Sequence, residues 1–154
     1  MPKQLILLTG VPATGKTTVG NYLKDNHAFH HVDFEDGISL KQFAANPELF
    51  LSGLNQEKII ISWGFVPEAG QISMVNYILS KDFKLFWFEG DHIATLRKYI
   101  ERGRGTNLDA YYYQMFRILS SKVVDQISPK IINTFNDAGE YKELTQIIRE
   151  MGIS

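Results

Sequence analysis

The chain has 154 residues, 44% hydrophobic and 21% charged, with a formal net charge of −1 and no cysteine. That length predicts one domain, spanning residues 1–154, with enough chain to bury a sizeable core. The even charge argues against a bulk binder of nucleic acid or membrane surfaces, and the absence of cysteine excludes disulfides and thiolate metal sites.

In chain order, Gln4 to Leu8 is a short apolar run that predicts a buried strand. A helix is expected from Thr17 to Asn26 and a shorter strand from Phe29 to Phe34. Leu40 to Ala45 and Pro47 to Asn55 read as short helices, with Pro47 suited to a first-turn position. Lys58 to Trp63, rich in β-branched residues, is the third predicted strand. Pro67 to Ser80 fits a helix and Phe83 to Phe88 a strand. Asp91 is placed to cap a helix from His92 to about Arg102. Tyr111 to Ser121 predicts another helix, Lys130 to Thr134 a fifth strand, and Tyr141 to Met151 a last helix with Gly152 as terminator. No apolar run approaches the roughly 20 residues of a membrane span. The first one is also too short for a signal peptide, so a cytoplasmic, membrane-free protein is expected.

Strands alternating with helices predict an α/β fold with a parallel sheet covered on both faces. Ligands on such sheets bind at the carboxyl ends of the strands. Gly10-Val-Pro-Ala-Thr-Gly15-Lys16-Thr17 follows the first strand and opens the first helix, which is the context of a phosphate-binding loop. Gly10 and Gly15 permit backbone angles closed to other residues, and successive N–H groups then face one concavity. Pro12 stiffens the loop and offers no N–H. Ala13, Thr14 and Thr18 are expected to border the phosphates beside it. Lys16, read as lying on an exposed loop, is expected to reach the β- and γ-phosphates, and the Thr17 hydroxyl to ligate Mg²⁺. The expected ligands are therefore ATP and Mg²⁺.

Asp33-Phe34-Glu35-Asp36 follows the second strand. In extended chain Asp33 and Glu35 share a side while Asp36 points away. Asp33 suits Mg²⁺, and either Asp33 or Glu35 suits the acceptor hydroxyl; Asp36 equally suits capping the next helix. Trp63, Gly64 and Phe65 follow the third strand, where the rings face either a substrate or the core. Phe135, after the fifth strand, is read as a possible packing surface for adenine. Residues 97–112 are read as a lid: Arg102 and Arg104 are placed to close over the γ-phosphate, and glycines flank Arg104. Arg104 is also expected to contact the nucleotide. His27, His30, His31 and His92 lack the spacing of a zinc motif.

With these residues in hand, the chain resembles the small P-loop kinases of the shikimate kinase, gluconate kinase and nucleotide kinase group. The most specific match is Gly15-Lys16-Thr17-Thr18-Val19-Gly20 with Leu23. Asp33-x-Glu35 resembles the Asp-x-Asp of shikimate kinases, and Ser62-Trp63-Gly64 stands in place of their Gly-rich substrate segment. The resemblance implies a three-layer fold with five parallel strands in the order 2-3-1-4-5 and a short lid. It implies phosphoryl transfer from ATP to a hydroxyl of a small metabolite by a monomer or dimer, without nucleic-acid partners. Between the second and third strands, however, the only cations are Lys41 and Lys58, where shikimate kinases carry a substrate-binding Arg. The acceptor is therefore left open. A nucleoside or nucleotide kinase, and a nucleotide-binding regulator with little turnover, are the other readings.

Overall fold

The computed structural model describes residues 2–103 and 107–153. Five parallel strands form the sheet: β1 (Gln4–Gly10), β2 (His30–Asp33), β3 (Lys58–Ser62), β4 (Lys84–Glu89) and β5 (Lys130–Asn133). Their order is β2-β3-β1-β4-β5, as the resemblance implies. The helices are α1 (Lys16–His27), α2 (Ser39–Ala45), α3 (Pro47–Ser52), α4 (Ala69–Leu79), α5 (His92–Glu101), α6 (Leu108–Ser121), α7 (Val123–Ile127) and α8 (Leu144–Glu150).

The period of two in the central strands builds two cores. Ile6, Leu8, Ile60, Phe86 and Phe88 face one side, where α1 brings Val19 and Leu23 and α8 brings Ile147 and Ile148. Leu7, Ile59, Ile61, Leu85 and Trp87 face the other, against Phe43 of α2, Val75 and Ile78 of α4, and Tyr111, Met115 and Ile118 of α6. Continuous apolar strands are what a sheet buried on both faces requires. Both edges hold only four residues each, β2 on one side and β5 on the other.

Several boundaries differ from the sequence expectation, each for a local reason. The first strand runs on to Gly10 because that segment pairs with Phe88 of β4. The helix expected at Tyr111 starts at Leu108, since the Asn107 side chain accepts the Ala110 N–H at 3.0 Å. Lys122, left-handed at φ 53°, separates α7 from α6. The last helix starts at Leu144 rather than Tyr141, because Tyr141 forms an antiparallel bridge with Phe135. Asp91 caps α5 through a 3.0 Å bond from Ala94, and Pro47 sits in the first turn of α3, both as expected. Among the described residues no helix is long and apolar enough to cross a membrane.

Candidate active site

The β1–α1 loop is fixed from below. Gly10 adopts φ 136°, and a Cβ there would lie 2.2 Å from the Phe88 carbonyl oxygen. Only glycine lets β1 turn this close to β4. The next residue, Val11, donates its N–H to that same carbonyl at 3.0 Å. Thr14 is fully buried and its hydroxyl donates to Val11 O at 2.7 Å. Its own carbonyl accepts the Thr134 hydroxyl at 2.9 Å, and the Ala13 carbonyl accepts the Tyr141 hydroxyl at 2.8 Å. Gly15 is left-handed at φ 92° with open space where a Cβ would stand, and no side chain caps α1. The first-turn N–H groups are thus left for a ligand, and the helix dipole favours an anion there.

A cavity of about 440 Å³ opens over this turn. Pro12, Ala13, Gly15, Lys16, Thr17 and Thr18 form its loop side, and Glu35, Gly64, Tyr99, Arg102, Gln114 and Tyr141 its other walls. Thr14 is expected on its lining, but its side chain is turned inward to lock the loop.

Lys16 departs from the expectation of an exposed loop residue, being only 8% exposed. Its amine donates to Val11 O at 2.8 Å and more distantly to Gly10 O at 3.4 Å. Burial pulls its pKa down from 10.5 to about 8; Glu35 and Asp33 oppose that shift, and the Arg102 guanidinium adds to it.

The carboxylates come from the end of β2. Asp33 Oδ1 accepts the Glu35 N–H at 3.0 Å and the Ser62 hydroxyl at 3.2 Å. Asp33 Oδ2 accepts the Thr17 hydroxyl at 3.3 Å, so the two groups expected at Mg²⁺ are adjacent. Glu35 Oε1 accepts the Gly64 N–H at 2.7 Å. A Cβ on Gly64 would stand 3.1 Å from that oxygen and 3.3 Å from Lys16 Cε, so this residue lets three elements converge. Asp36 belongs elsewhere: it accepts from Ile38 N, Ser39 N and the Ser39 hydroxyl, capping α2. Those bonds hold its carboxyl below the usual range.

Three expected contacts are corrected. Trp63 and Phe65 are 2% and 1% exposed. Trp63 packs edge-on against Phe34, and Phe65 against Trp87. Their rings belong to the core, and this stretch offers the cavity only the Gly64 backbone. Phe135 is also buried, packed on Gly90, where a Cβ would lie 2.4 Å from its ring. Its neighbour Tyr141, with ring centroids 4.9 Å apart, lines the cavity instead, as does Tyr99.

Arg102 lies exposed just beyond α5, its guanidinium 5.7 Å from the Tyr99 ring centre, and borders the cavity. Arg104 lies outside the described residues, as does the centre of the expected lid; the flanks of that segment belong to α5 and α6.

Gln114 went unread in the sequence. Its amide donates to Gly64 O at 2.9 Å and Phe65 O at 3.3 Å, pinning the loop after β3 to α6. One uncharged polar residue on a helix carries no sequence signal for this role. Tyr141 carried one, as an aromatic eight residues after the end of β5, but it read as the start of a helix.

In sequence, no family model matches the chain, and no curated protein does. Solved structures do resemble it. A shikimate kinase from Acinetobacter baumannii, in complex with shikimate, superposes with TM-score 0.61 at 17% identity, over 97% of this chain and 92% of that one. The tunicamycin resistance protein of Deinococcus radiodurans gives 0.61 at 14% identity, over 99% and 98%. A gluconokinase from Sinorhizobium meliloti 1021 gives 0.55 at 10% identity, over 96% and 88%. At such identities the likeness is one of fold, and the chain has the fold of the small P-loop kinases.

Proposed function

We propose that the protein transfers the γ-phosphoryl group of ATP to a hydroxyl of a small molecule. The observation that carries this reading is convergence: the loop, Lys16, Thr17 and Glu35 line one cavity, and Asp33 joins them through the Thr17 hydroxyl. A bare phosphate-binding loop would support binding alone, whereas carboxylates across from it supply a place for the acceptor.

The donor set fits magnesium. Thr17 Oγ1 and Asp33 Oδ2 are hard oxygen donors 3.3 Å apart. Among the described residues, no three His, Cys, Asp or Glu side chains cluster to hold a metal by themselves. Such a site suits an ion that keeps waters and shares phosphate oxygens. When bound, magnesium supplies neutralisation of phosphate charge.

The chain's own residues do the rest. The loop N–H groups and the Lys16 amine hold and neutralise the phosphates. Asp33, already accepting three hydrogen bonds, faces Thr17 and stays a positioning carboxylate. Glu35 lines the cavity and commits one oxygen to Gly64, so it is the better placed to orient the acceptor. It takes the proton that the hydroxyl loses as its oxygen bonds the γ-phosphorus and the bridge to ADP breaks. Arg102 balances charge at the cavity mouth, with Arg104 as a second candidate for that task. Catalysis here is positioning and electrostatics.

The test is to incubate ATP and Mg²⁺ with a deproteinised metabolite extract and search by mass spectrometry for a new phosphate ester. The ester should form with the native protein and fail to form with Glu35→Gln. Release of inorganic phosphate alone, at the same rate in both, would instead favour a nucleotide-binding regulator.

A further inference from the structure

The reading of Asp33 as the carboxylate beside magnesium leaves open what holds it there. Asp33 ends β2, an edge strand, and a carboxylate at such a position is free to rotate into solvent unless other groups fix it. The parallel register places Asp33 opposite Ser62, the last residue of β3. Ser62 is fully buried and its hydroxyl donates to Asp33 Oδ1 at 3.2 Å. A serine hydroxyl has one proton, so that bond leaves Ser62 Oγ only as an acceptor. The group that reaches it is the imidazole of His31, with Nε2 at 2.7 Å. On its other side His31 Nδ1 lies 2.9 Å from Asn21 Oδ1 of α1. Turning the Asn21 amide presents its NH₂ to Nδ1, which a neutral imidazole protonated on Nε2 accepts.

The imidazole also requires its neighbour to be small. A Cβ on Gly20 would lie 2.3 Å from His31 Nε2 and 2.5 Å from Cε1. Gly20 is one turn along α1 from Lys16 and Thr17. The phosphate-binding helix is therefore docked on the imidazole that orders Ser62, and Ser62 orders the carboxylate facing Thr17.

We propose that Ser62 and His31 are positioning residues that hold Asp33 toward Thr17, and that this Asn21–His31–Ser62–Asp33 chain sets the protein's affinity for magnesium in the presence of nucleotide. The proposal rests on the magnesium reading above. Outer partners of metal-binding groups typically change metal affinity by roughly 10–100-fold when removed. The chain acts on the carboxylate and leaves the loop N–H groups untouched, so it should alter the magnesium-dependent part of binding only.

Isothermal titration of ADP, in EDTA and then in Mg²⁺, separates the two parts. The native protein should bind ADP in EDTA and bind it more tightly with Mg²⁺. Ser62→Ala and His31→Phe should keep the EDTA affinity and lose about tenfold or more of the magnesium gain. His31→Gln, whose amide can again donate to Ser62 Oγ, should recover most of it. Gly20→Ala, which displaces the imidazole, should behave as His31→Phe does. Circular dichroism of each variant, free of any ligand, confirms the fold. Full magnesium gain in folded Ser62→Ala and His31→Phe overturns the proposal. So does an equal loss with and without Mg²⁺, which marks a merely structural contact. Absence of any magnesium gain in the native protein defeats the magnesium reading itself and is told apart by that control.

Discussion

Replacing Lys16 by methionine should make the protein more stable at neutral pH while disabling the proposed nucleotide site. The amine is buried, and its pKa falls from 10.5 to about 8. A depression of that size means the folded state disfavours the charged form by about 3 kcal/mol. Methionine has similar length and no charge to bury. It loses the 2.8 Å bond to Val11 O, worth about 1 kcal/mol, but that carbonyl keeps the Thr14 hydroxyl at 2.7 Å. The net gain at pH 7 is about 2 kcal/mol, or roughly 4–8 °C in Tm for a chain of this size. Between pH 8 and 10.5 the unfolded lysine binds more protons than the folded one, so the native protein gains stability as pH rises. At pH 9.5 only about 1 kcal/mol of the penalty remains, which the lost hydrogen bond cancels. Thermal unfolding of both proteins without nucleotide, at pH 7 and pH 9.5, should show a gap that closes. A variant less stable at pH 7, or a gap that does not shrink, refutes the reasoning.

Two further substitutions probe the same cavity. Gly64→Ala puts a methyl 3.1 Å from Glu35 Oε1 and 3.5 Å from Lys16 Nζ. Turnover in a phosphoryl-transfer assay should fall about tenfold, or ~1.4 kcal/mol, and unchanged turnover would remove Gly64 from the site. Arg102→Ala removes a like charge that helps depress the Lys16 pKa, so that pKa should rise. The loss of ADP affinity as pH climbs through about 8 should then move to higher pH, and coincident affinity–pH curves would place Arg102 too far away to matter.

Much of this architecture is legible in the sequence. The apolar runs mark each strand, and the Gly10–Thr17 motif at the first strand's end marks the proposed phosphate site. Strand order came from resemblance, since spacing alone does not say which strands are neighbours. Trp63 and Phe65 show where the sequence reading stopped one step early. Ile59, Ile61, Trp63 and Phe65 are consecutive odd positions, and all four lie in the same core. Carrying the period of two beyond the strand would have buried both rings. Phe135 and Tyr141 exchanged roles because the turn at 136–139 brings them together in an antiparallel bridge, a pairing that turn residues alone do not specify. The Ser62–His31 link was equally hidden. It needs the β2–β3 register, which pairs Asp33 with Ser62, and a glycine on a helix from another part of the chain.

The central claim is that Lys16 and the turn around it hold the phosphates of a nucleotide. The most direct measurement is ³¹P NMR of Mg·ATP titrated with native protein and with Lys16→Met. The native protein should shift or broaden the β- and γ-phosphorus resonances, while the folded variant should leave them at their free positions. Equal perturbation by both proteins, or none by either, would contradict that claim.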